Sequence, residues 1–340
     1  MSRPTVHDIA KNAGVSLATV DRVLNKRPGV RAKTIKRVTD AINDIGYVRD
    51  MAAASLARQK DSEFVFVVPD GSTSFLRKLS SVVQEVGVRM LADRTSVSLV
   101  SVPPNDPNAL VSQLEELGQR GVSGVAIMAP ETPQLRDAIK RLKQQEISVV
   151  AIISDLPSSE KDQFVGINNL AAGRTAGLLL GSVLGQEAGQ ILVVSGSMLA
   201  QDHVQRRLGF DQIMAEQFPH HEILPTIEAW DNADNVERMV GHALAAHQNV
   251  KGVYSVGAGN AGLVKVLGKS DSTIKVVAHD VTAISRQALL DDIFYVVIEQ
   301  DLGHVVRSAV RIMKASQNML EVIPAQEKIR IEVIVKENLS

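Results

Sequence analysis

The chain has 340 residues, more than one compact core usually holds, so we expect two or three domains. It contains no cysteine, which excludes disulfides and thiolate metal sites. It has neither a leading apolar segment of the signal-peptide type nor a run of about 18 apolar residues, so we expect a cytoplasmic protein that does not span a membrane.

The net charge of −1 hides a strong asymmetry along the chain. Residues 1–60 hold 12 of the 37 Lys and Arg residues and 5 of the 38 Asp and Glu residues, and the rest of the chain holds 25 and 33. The first segment therefore carries +7 and the remainder −8. A small basic head joined to a larger acidic body is typical of a nucleic-acid-binding domain attached to a domain that does not touch nucleic acid.

The first segment, TVHDIAKNAGVSLATVDRVLN, predicts two short helices joined by a tight turn. Thr5 with Asp8 forms a variant capping box, and the apolar residues that follow recur at helical spacing until Gly14. Ser16 caps the second helix. The side chains expected to point outward from that helix are Leu17, Ala18, Thr19, Asp21 and Arg22. Mostly short side chains at the start of such a helix suit close approach to base edges in the major groove.

A third helix is predicted from about Ala32 to Ile45. Its expected buried stripe is Ile35, Val38, Ala41, Ile42 and Ile45, and its expected solvated residues are Lys33, Lys36 and Arg37. Asn25, Arg31 and Thr34 are candidate phosphate contacts, which set register rather than sequence preference. After Tyr47, Asp50 can cap a further short helix over 51–57.

From Glu63 onward, β-branched runs such as FVFVVPD alternate with helical segments of 10 to 18 residues up to a closing strand, IRIEVIVKENL. This alternation predicts right-handed βαβ units on parallel sheets. Because the strands are too many for one small doubly wound domain, we expect two similar lobes with a cleft between them.

The strings DIAKNAGVSLATVDRVLN and GVRAKTIKRVTDAINDIGYVRD resemble the lactose-repressor (LacI) family of bacterial transcription regulators. The resemblance implies a helix-turn-helix DNA-binding domain over 1–48 and a hinge helix and linker over 49–60. It places Ala53 and Leu56 in the minor groove, where an apolar wedge kinks DNA. With the residues above, the predicted DNA contacts are Thr5, Ser16, Leu17, Ala18, Thr19, Arg22, Asn25, Arg31, Thr34, Ala53 and Leu56. Asp21 departs from the family, which often has Ser there.

The body, 61–340, more weakly resembles a type I periplasmic-binding-protein fold, an α/β effector-binding domain with two doubly wound parallel-sheet lobes. By analogy the chain crosses between lobes near Leu156, Phe294 and Met319. The first lobe would span about 61–156 and 295–318, and the second about 157–293 and 320–340.

Ligands of open α/β sheets bind beyond the carboxyl ends of the strands, so polar residues just past each strand are candidates. Comparison with the family narrows them to Asp70, Phe75, Asp155, Arg206, Asp280 and Gln300. Carboxylates, a guanidinium and an amide suit hydroxyl groups, and an aromatic ring suits a sugar face. The loop Gly257-Ala258-Gly259-Asn260 replaces the Asn-Asp of many members, so backbone N–H groups are expected to contribute there.

The residues of that same loop, 257–262, also form a G-x-G-x-x-G pattern with Asp280 18 residues further on, which supports an alternative reading as an NAD-dependent oxidoreductase. The pattern lies late in the chain, whereas such fingerprints normally open their domain. A solute-binding protein without a DNA function is a third reading. No H-E-x-x-H or G-x-S-x-G motif is present, so we predict no catalytic residue, no metal and no cofactor.

The sequence thus predicts a DNA-binding transcription regulator, most simply a repressor, controlled by a sugar or polyol in the interlobe cleft. Two-fold symmetry of a homodimer would require a near-palindromic operator. No leucine-heptad tail of the family's tetramerising type precedes Ser340, so we expect a dimer.

Overall fold

The computed structural model describes residues 4–24, 28–47, 61–71, 73–104, 106–257, 259–268 and 273–339. It divides the chain into two compact units, a head of residues 1–61 and a body of residues 62–340. The predicted hinge segment, with Ala53 and Leu56, and the predicted contact Asn25 lie outside the described residues.

Three helices form the head, namely α1 Val6–Ala13, α2 Leu17–Leu24 and α3 Ala32–Asp44. Their small core consists of Ile9, Ala13, Val20, Val38 and Ala41. Every core residue lies on the apolar stripe that helical spacing predicts, so the pattern alone specifies how the three helices face one another.

Two residues of α3 differ from the sequence prediction. Ile35, expected in the buried stripe, is 43% exposed. The Arg37 side chain, expected in solvent, donates from Nε and Nη2 to the carbonyl oxygen of Ala13 and from Nη2 to that of Gly14. Helical periodicity predicts which way a side chain leaves its helix, but it does not predict whether a neighbouring chain end lies within reach.

The body alternates strands and helices throughout, as the sequence predicts. Its strands are β1 Ser62–Pro69, β2 Thr95–Val102, β3 Gly124–Ile127, β4 Ser148–Ile152, β5 Gln163–Val165, β6 Gln190–Ser195, β7 Glu222–Ile223, β8 Ile227–Glu228, β9 Val250–Ser255, β10 Lys275–His279, β11 Val296–Glu299 and β12 Glu332–Ile334. Its helices are α4 Ser74–Met90, α5 Pro107–Arg120, α6 Pro133–Gln144, α7 Asn169–Leu184, α8 Gln201–Gln217, α9 Ala233–Ala246, α10 Asn260–Leu267, α11 Ala283–Leu290 and α12 Leu302–Asn318.

These strands form two sheets, one in each lobe. The first sheet has the order β2-β1-β3-β4-β5 and is entirely parallel. The second has the order β12-β11-β10-β9-β6-β7, with β8 also pairing with β6, and only β12 is antiparallel. Fully buried strands such as Phe64–Val67 explain the continuous apolar runs in the sequence, because helices cover both faces of a parallel sheet.

The lobe boundaries expected from the family analogy need correction. The segment after Leu156 forms β5, which pairs with β4, so the chain stays in the first lobe until after Val165. Strand β11 pairs with β10, so the second lobe continues to Glu299 rather than ending near Phe294. Helix α12 then packs on the first sheet, and β12 returns to the second. Each crossing thus follows the carboxyl end of a strand or helix, where hydrogen-bonded pairing ends.

Two predicted strands are shorter than their apolar runs. The run EILPTIEAW contains only β7 and β8, which are separated at Leu224 and Pro225, because proline cannot donate to a strand ladder. The closing run IRIEVIVKENL forms β12 over three residues and then a 3-10 turn, Lys336–Asn338. Among the described helices, none combines the length and the apolar character needed to cross a membrane.

Candidate nucleic-acid interface and effector cavity

The first helix of the head begins as its capping box predicts. The Asp8 carboxylate accepts from the backbone N–H and the hydroxyl of Thr5, at 2.8 Å each. These hydrogen bonds hold the pKa of Asp8 below its usual value. The Thr5 side chain is exposed, but its hydroxyl proton already has a partner. Thr5 can therefore offer an approaching ligand only its remaining lone pairs.

The turn between α1 and α2 depends on a residue that the sequence reading assigned to solvent. Gly14 adopts the left-handed conformation, with φ of 59°, and ends α1. Arg37 donates to the carbonyls of Ala13 and Gly14, which have no further helical turn to accept from. The guanidinium thus ties α3 to this turn and supports the orientation of α2.

Helix α2 presents its predicted face to solvent. Leu17 is 42% exposed, and Ala18 and Arg22 are exposed beside it. The Ser16 hydroxyl accepts the Thr19 backbone N–H at 3.2 Å and lies 2.9 Å from the Thr19 hydroxyl, so Ser16 acts as the predicted cap. The other predicted contacts, Arg31 and Thr34, lie at the start of α3, exposed and half-buried respectively.

A cavity of about 330 Å³ lies in the body, between the start of α4 in the first lobe and the strand ends of the second. Its first-lobe wall is Thr73, Ser74, Phe75 and Arg77. Its described second-lobe wall is Asp231, Asn232, Ala233, Asp234, Gly257, Gly259, Asn260, Ala261, His279, Asp280, Thr282 and Ile284. This is the position that the strand-end argument predicts for a ligand.

Asp280 is the charged centre of this site. It follows β10 in the left-handed conformation, with φ of 65°, which aspartate tolerates better than most residues. Burial raises the pKa of Asp280, while the Arg206 guanidinium and the Lys78 ammonium favour its charged form. The Gln300 amide nitrogen lies 3.5 Å from its Oδ1. Three of the six predicted effector residues, Arg206, Asp280 and Gln300, are therefore neighbours.

Arg206 is almost fully buried, at 1% exposure. Its Nε donates to Asn169 Oδ1 at 2.8 Å and its Nη1 to the carbonyl oxygen of Val256 at 2.9 Å. Its Nη2 has no partner among the described residues. Glycines bring α7 and α8 close enough for this arrangement, because a Cβ at Gly173 would lie 1.9 Å from the Arg206 carbonyl oxygen.

Two further buried polar atoms near Arg206 and Asp280 lack a partner in the described part of the chain, His279 Nδ1 and Gln300 Oε1. His279 Nε2 lies 2.9 Å from the Tyr254 hydroxyl, and burial, together with the charge of Arg206, holds the pKa of His279 well below its usual value. The imidazole is therefore neutral at physiological pH. Buried polar atoms without partners are rare in folded proteins, and at a cavity wall they indicate a place for ligand atoms or water.

The structure does not bring all six predicted effector residues together. Phe75 lines the cavity, but Asp70 is exposed and lies outside the lining. Asp155 also lies outside it; its carboxylate accepts the Leu156 N–H at 2.7 Å and lies 3.0 Å from Lys161 Nζ. Asp70 and Asp155 are strand-end residues, so strand position alone does not separate cavity residues from loop residues.

Sequence reasoning missed several lining residues, among them Arg77, Asp231, Asn232, His279 and Thr282. Trp230 and Asp231 both have positive φ, a turn that no sequence motif marks. Arg77 lies two residues after Phe75 on α4, and His279 directly precedes Asp280, so a wider window around each prediction would have found both.

Close packing explains the glycines of the 257–262 loop. A Cβ at Gly257 would lie 2.5 Å from His203 Nε2, and one at Gly262 would lie 2.1 Å from the carbonyl oxygen of Ala233. Gly259 has a positive φ of 94° and precedes α10. These contacts account for the spacing without a dinucleotide. No group of three or more His, Asp or Glu side chains in the described ranges could hold a metal ion.

Comparison with protein-family models identifies both parts of the chain. Residues 64–318 match the periplasmic binding protein domain, and residues 5–50 match the lacI family of bacterial regulatory proteins. The chain belongs to the lacI family, with a body of the periplasmic-binding-protein type. The predicted fold class, a helix-turn-helix head on a two-lobed α/β body, is confirmed.

Relatives of this lacI-family chain carry regulatory names. It is 28% identical over 219 residues to the HTH-type transcriptional regulator DegA of Bacillus subtilis, an alignment that covers 63% of this chain and only 61% of DegA. It is 26% identical over 285 residues to the ribose operon repressor of Halalkalibacterium halodurans, covering 81% of this chain and 80% of that repressor.

Among solved structures, a solute-binding protein from Burkholderia graminis in complex with D-arabinose superposes with a TM-score of 0.74 at 22% identity. The match covers 83% of this chain and 97% of that protein. At this identity the likeness establishes the fold of the body and not its ligand.

Proposed function

We propose that this lacI-family chain is a transcription regulator, acting as a repressor, whose affinity for operator DNA is controlled by a small polar effector in the interlobe cavity. The observation that carries the proposal is the presence on one chain of an exposed recognition-type helix, α2, and a two-lobed body with a polar cavity. The regulatory names of its relatives support the same conclusion.

The DNA-binding half rests on α2 and on charge. Leu17, Ala18 and Arg22 project from one exposed face, where apolar contacts to thymine methyl groups and guanidinium contacts to guanine are possible. The +7 charge of residues 1–60 favours phosphate binding. We propose that a homodimer binds a near-palindromic operator in the cytoplasm, with Ala53 and Leu56 as minor-groove contacts.

The cavity favours an uncharged, hydroxyl-rich effector such as a sugar or polyol. Among the described lining residues, the carboxylates of Asp231, Asp234 and Asp280 face one guanidinium, that of Arg77. This excess of negative charge disfavours phosphorylated or carboxylated ligands. Arg206 Nη2 can donate, and Gln300 Oε1 can accept, so the two together match hydroxyl groups, which do both.

The test of the DNA half starts from duplexes selected by the full chain from a random library. We expect the selected duplexes to share a near-palindrome and Leu17→Asp to abolish selective binding, because a carboxylate would face the bases. Gln113→Asp, on the body, serves as the control. Failure to enrich any sequence would reject the regulator and favour a solute-binding protein.

The test of the effector half is thermal unfolding with D-arabinose, D-allose and D-ribose, each beside its phosphate ester, and with NAD. A ligand present at 100 times its dissociation constant adds about 2.7 kcal/mol of stability. We expect stabilisation by an unphosphorylated sugar and none by its ester. Stabilisation by NAD alone would support the oxidoreductase reading instead, and stabilisation by the esters alone would reject the charge argument.

A further inference from the structure

An ion pair crosses between the lobes beside the cavity. Lys78, on α4 of the first lobe, donates from Nζ to Glu299 Oε1 at 2.7 Å and to the carbonyl oxygen of Val281 at 2.8 Å. Glu299 ends β11 and Val281 follows β10, so both acceptors belong to the second lobe. One first-lobe ammonium is therefore bound at two points of the second lobe.

The acceptor side of this pair is fixed in place. The second carboxylate oxygen of Glu299 accepts the backbone N–H of Val281, so Glu299 and Lys78 together bind both polar groups of that residue. Glu299 is only 8% exposed, whereas the Lys78 side chain is 37% exposed. A lysine held by two acceptors, one of them rigid and buried, loses less on pairing than two mobile surface side chains do.

The pair also lies next to the residues that line the cavity. Val281 is between the lining residues Asp280 and Thr282, and Lys78 directly follows the lining residue Arg77. The charged groups facing Glu299 are Lys78 and Asp280, and Asp280 in turn faces Arg206. A change in the distance between Lys78 and Glu299 is thus mechanically linked to the width of the cavity.

We propose that the Lys78–Glu299 pair is an interlobe tie that sets how far the two lobes close over the cavity. Lys78 is then a positioning residue. Loss of the tie frees α4 from the loop after β10 and populates a more open arrangement of the lobes. The proposal concerns the body alone and holds whether or not the effector is a sugar and whether or not the head binds DNA.

Electron-electron distance measurements between two spin labels test this tie directly. Because the chain has no cysteine, labels attach only at introduced sites. Glu116→Cys on α5 and Arg238→Cys on α9 place one label on an exposed position of each lobe. In this labelled chain, Lys78→Met should add a second, longer distance population, with a roughly five-fold rise in the open-to-closed ratio, equivalent to about 1 kcal/mol.

Three further variants complete the design. Lys143→Met removes a lysine–carboxylate pair with Asp162 inside the first lobe and should leave the distances unchanged. Lys78→Arg, which keeps the charge, should also match the parent. Glu299→Gln keeps the shape but not the charge and should lie between the parent and Lys78→Met.

The outcomes separate a tie from general support of the fold. A longer population in Lys78→Met and Glu299→Gln, but not in Lys143→Met, supports the tie. Distances in both tie variants that coincide with the parent overturn it, as does equal broadening in Lys143→Met. If Lys78→Met fails to fold by circular dichroism, Glu299→Gln alone decides, by the same criteria.

Discussion

At the scale of single residues, burial decides the chemistry of the cavity more than residue type does. Glu299 and Asp280 are buried carboxylates near one another, and burial with this mutual repulsion raises both pKa values. The pKa of Glu299 reaches about 7, against 4.5 for an ordinary glutamate. Lys78 and the Val281 N–H offset only part of that effect.

The Glu299 carboxyl should therefore make stability depend on pH. Its pKa is higher in the folded than in the unfolded chain, so its contribution is full below pH 4.5 and is lost as pH rises through 7. The shift corresponds to roughly 3 kcal/mol at most. Denaturant unfolding from pH 4.5 to 8 should show Glu299→Gln gaining on the parent over this window. Glu116→Gln, at an exposed position, is the control; a constant difference between Glu299→Gln and the parent would contradict the assignment.

Asp280→Asn should weaken binding of whichever unphosphorylated sugar stabilises the protein. Asparagine tolerates the left-handed backbone that Asp280 adopts, so the loop should keep its shape while losing the charged acceptor. Hydrogen bonds to charged groups contribute about 1.5 to 3 kcal/mol, so we expect a loss of roughly ten-fold or more by calorimetry. Asp70→Asn, outside the cavity, should bind as the parent does; equal losses in both variants would place the ligand elsewhere.

At the scale of secondary-structure elements, glycine contacts bring Arg206 into the site. Helices α7 and α8 approach at Gly173 and Gly209, where a Cβ would lie 1.9 Å from the carbonyl oxygen of Arg206 and 2.0 Å from that of Leu170. Both obstacles are backbone atoms, so neither can move without moving a helix. The partnerless Nη2 of Arg206 is held in place by this packing.

Gly173→Ala should therefore destabilise the body by about 1 to 3 kcal/mol, as overpacking commonly does. Gly241→Ala is the matched control, because its added Cβ would meet nothing within 4 Å in the helix α9. Alanine favours a helix by about 1 kcal/mol over glycine, so the control should be neutral or stabilising. Chemical unfolding of both variants measures the difference, and a stable Gly173→Ala would mean that the helices are not in close contact.

The lobe boundaries show the limit of element-level prediction from sequence. The alternating pattern predicts nearly every helix and strand of the body, because buried strands and amphipathic helices have different periods. It does not indicate which sheet a strand joins: β5 and β11 were expected in the wrong lobes. Strand pairing depends on contacts between residues far apart in sequence, such as Val277 with Val296.

At the scale of the whole molecule, charge is divided between the two units. The first 60 residues carry +7 and the remaining residues −8. The head can therefore bind a polyanion while the acidic body is repelled by it, which favours binding through the head alone.

Binding to the selected duplex should fall steeply with salt. A protein that neutralises 6 to 10 phosphates loses roughly 10³- to 10⁵-fold in affinity between 50 and 200 mM salt. Fluorescence anisotropy over this range should give a linear log–log plot, and Arg31→Met should reduce its slope if Arg31 contacts a phosphate. Sugar binding by the same preparation is the internal control and should change little. Salt-independent binding to DNA would contradict the proposed role of the basic head.

The sequence by itself determined the three-helix head, the βαβ body and the family, because these follow from local periodicity, caps and a distinctive string of residues. It also placed Arg206, Asp280 and Gln300 among the candidates. Only the tertiary structure decided that Asp70 and Asp155 lie outside the cavity lining, that Asp231 and His279 line it, and that Lys78 reaches Glu299. Those facts depend on distances between side chains more than 100 residues apart or on backbone turns without a sequence signature, and local patterns carry no information about either.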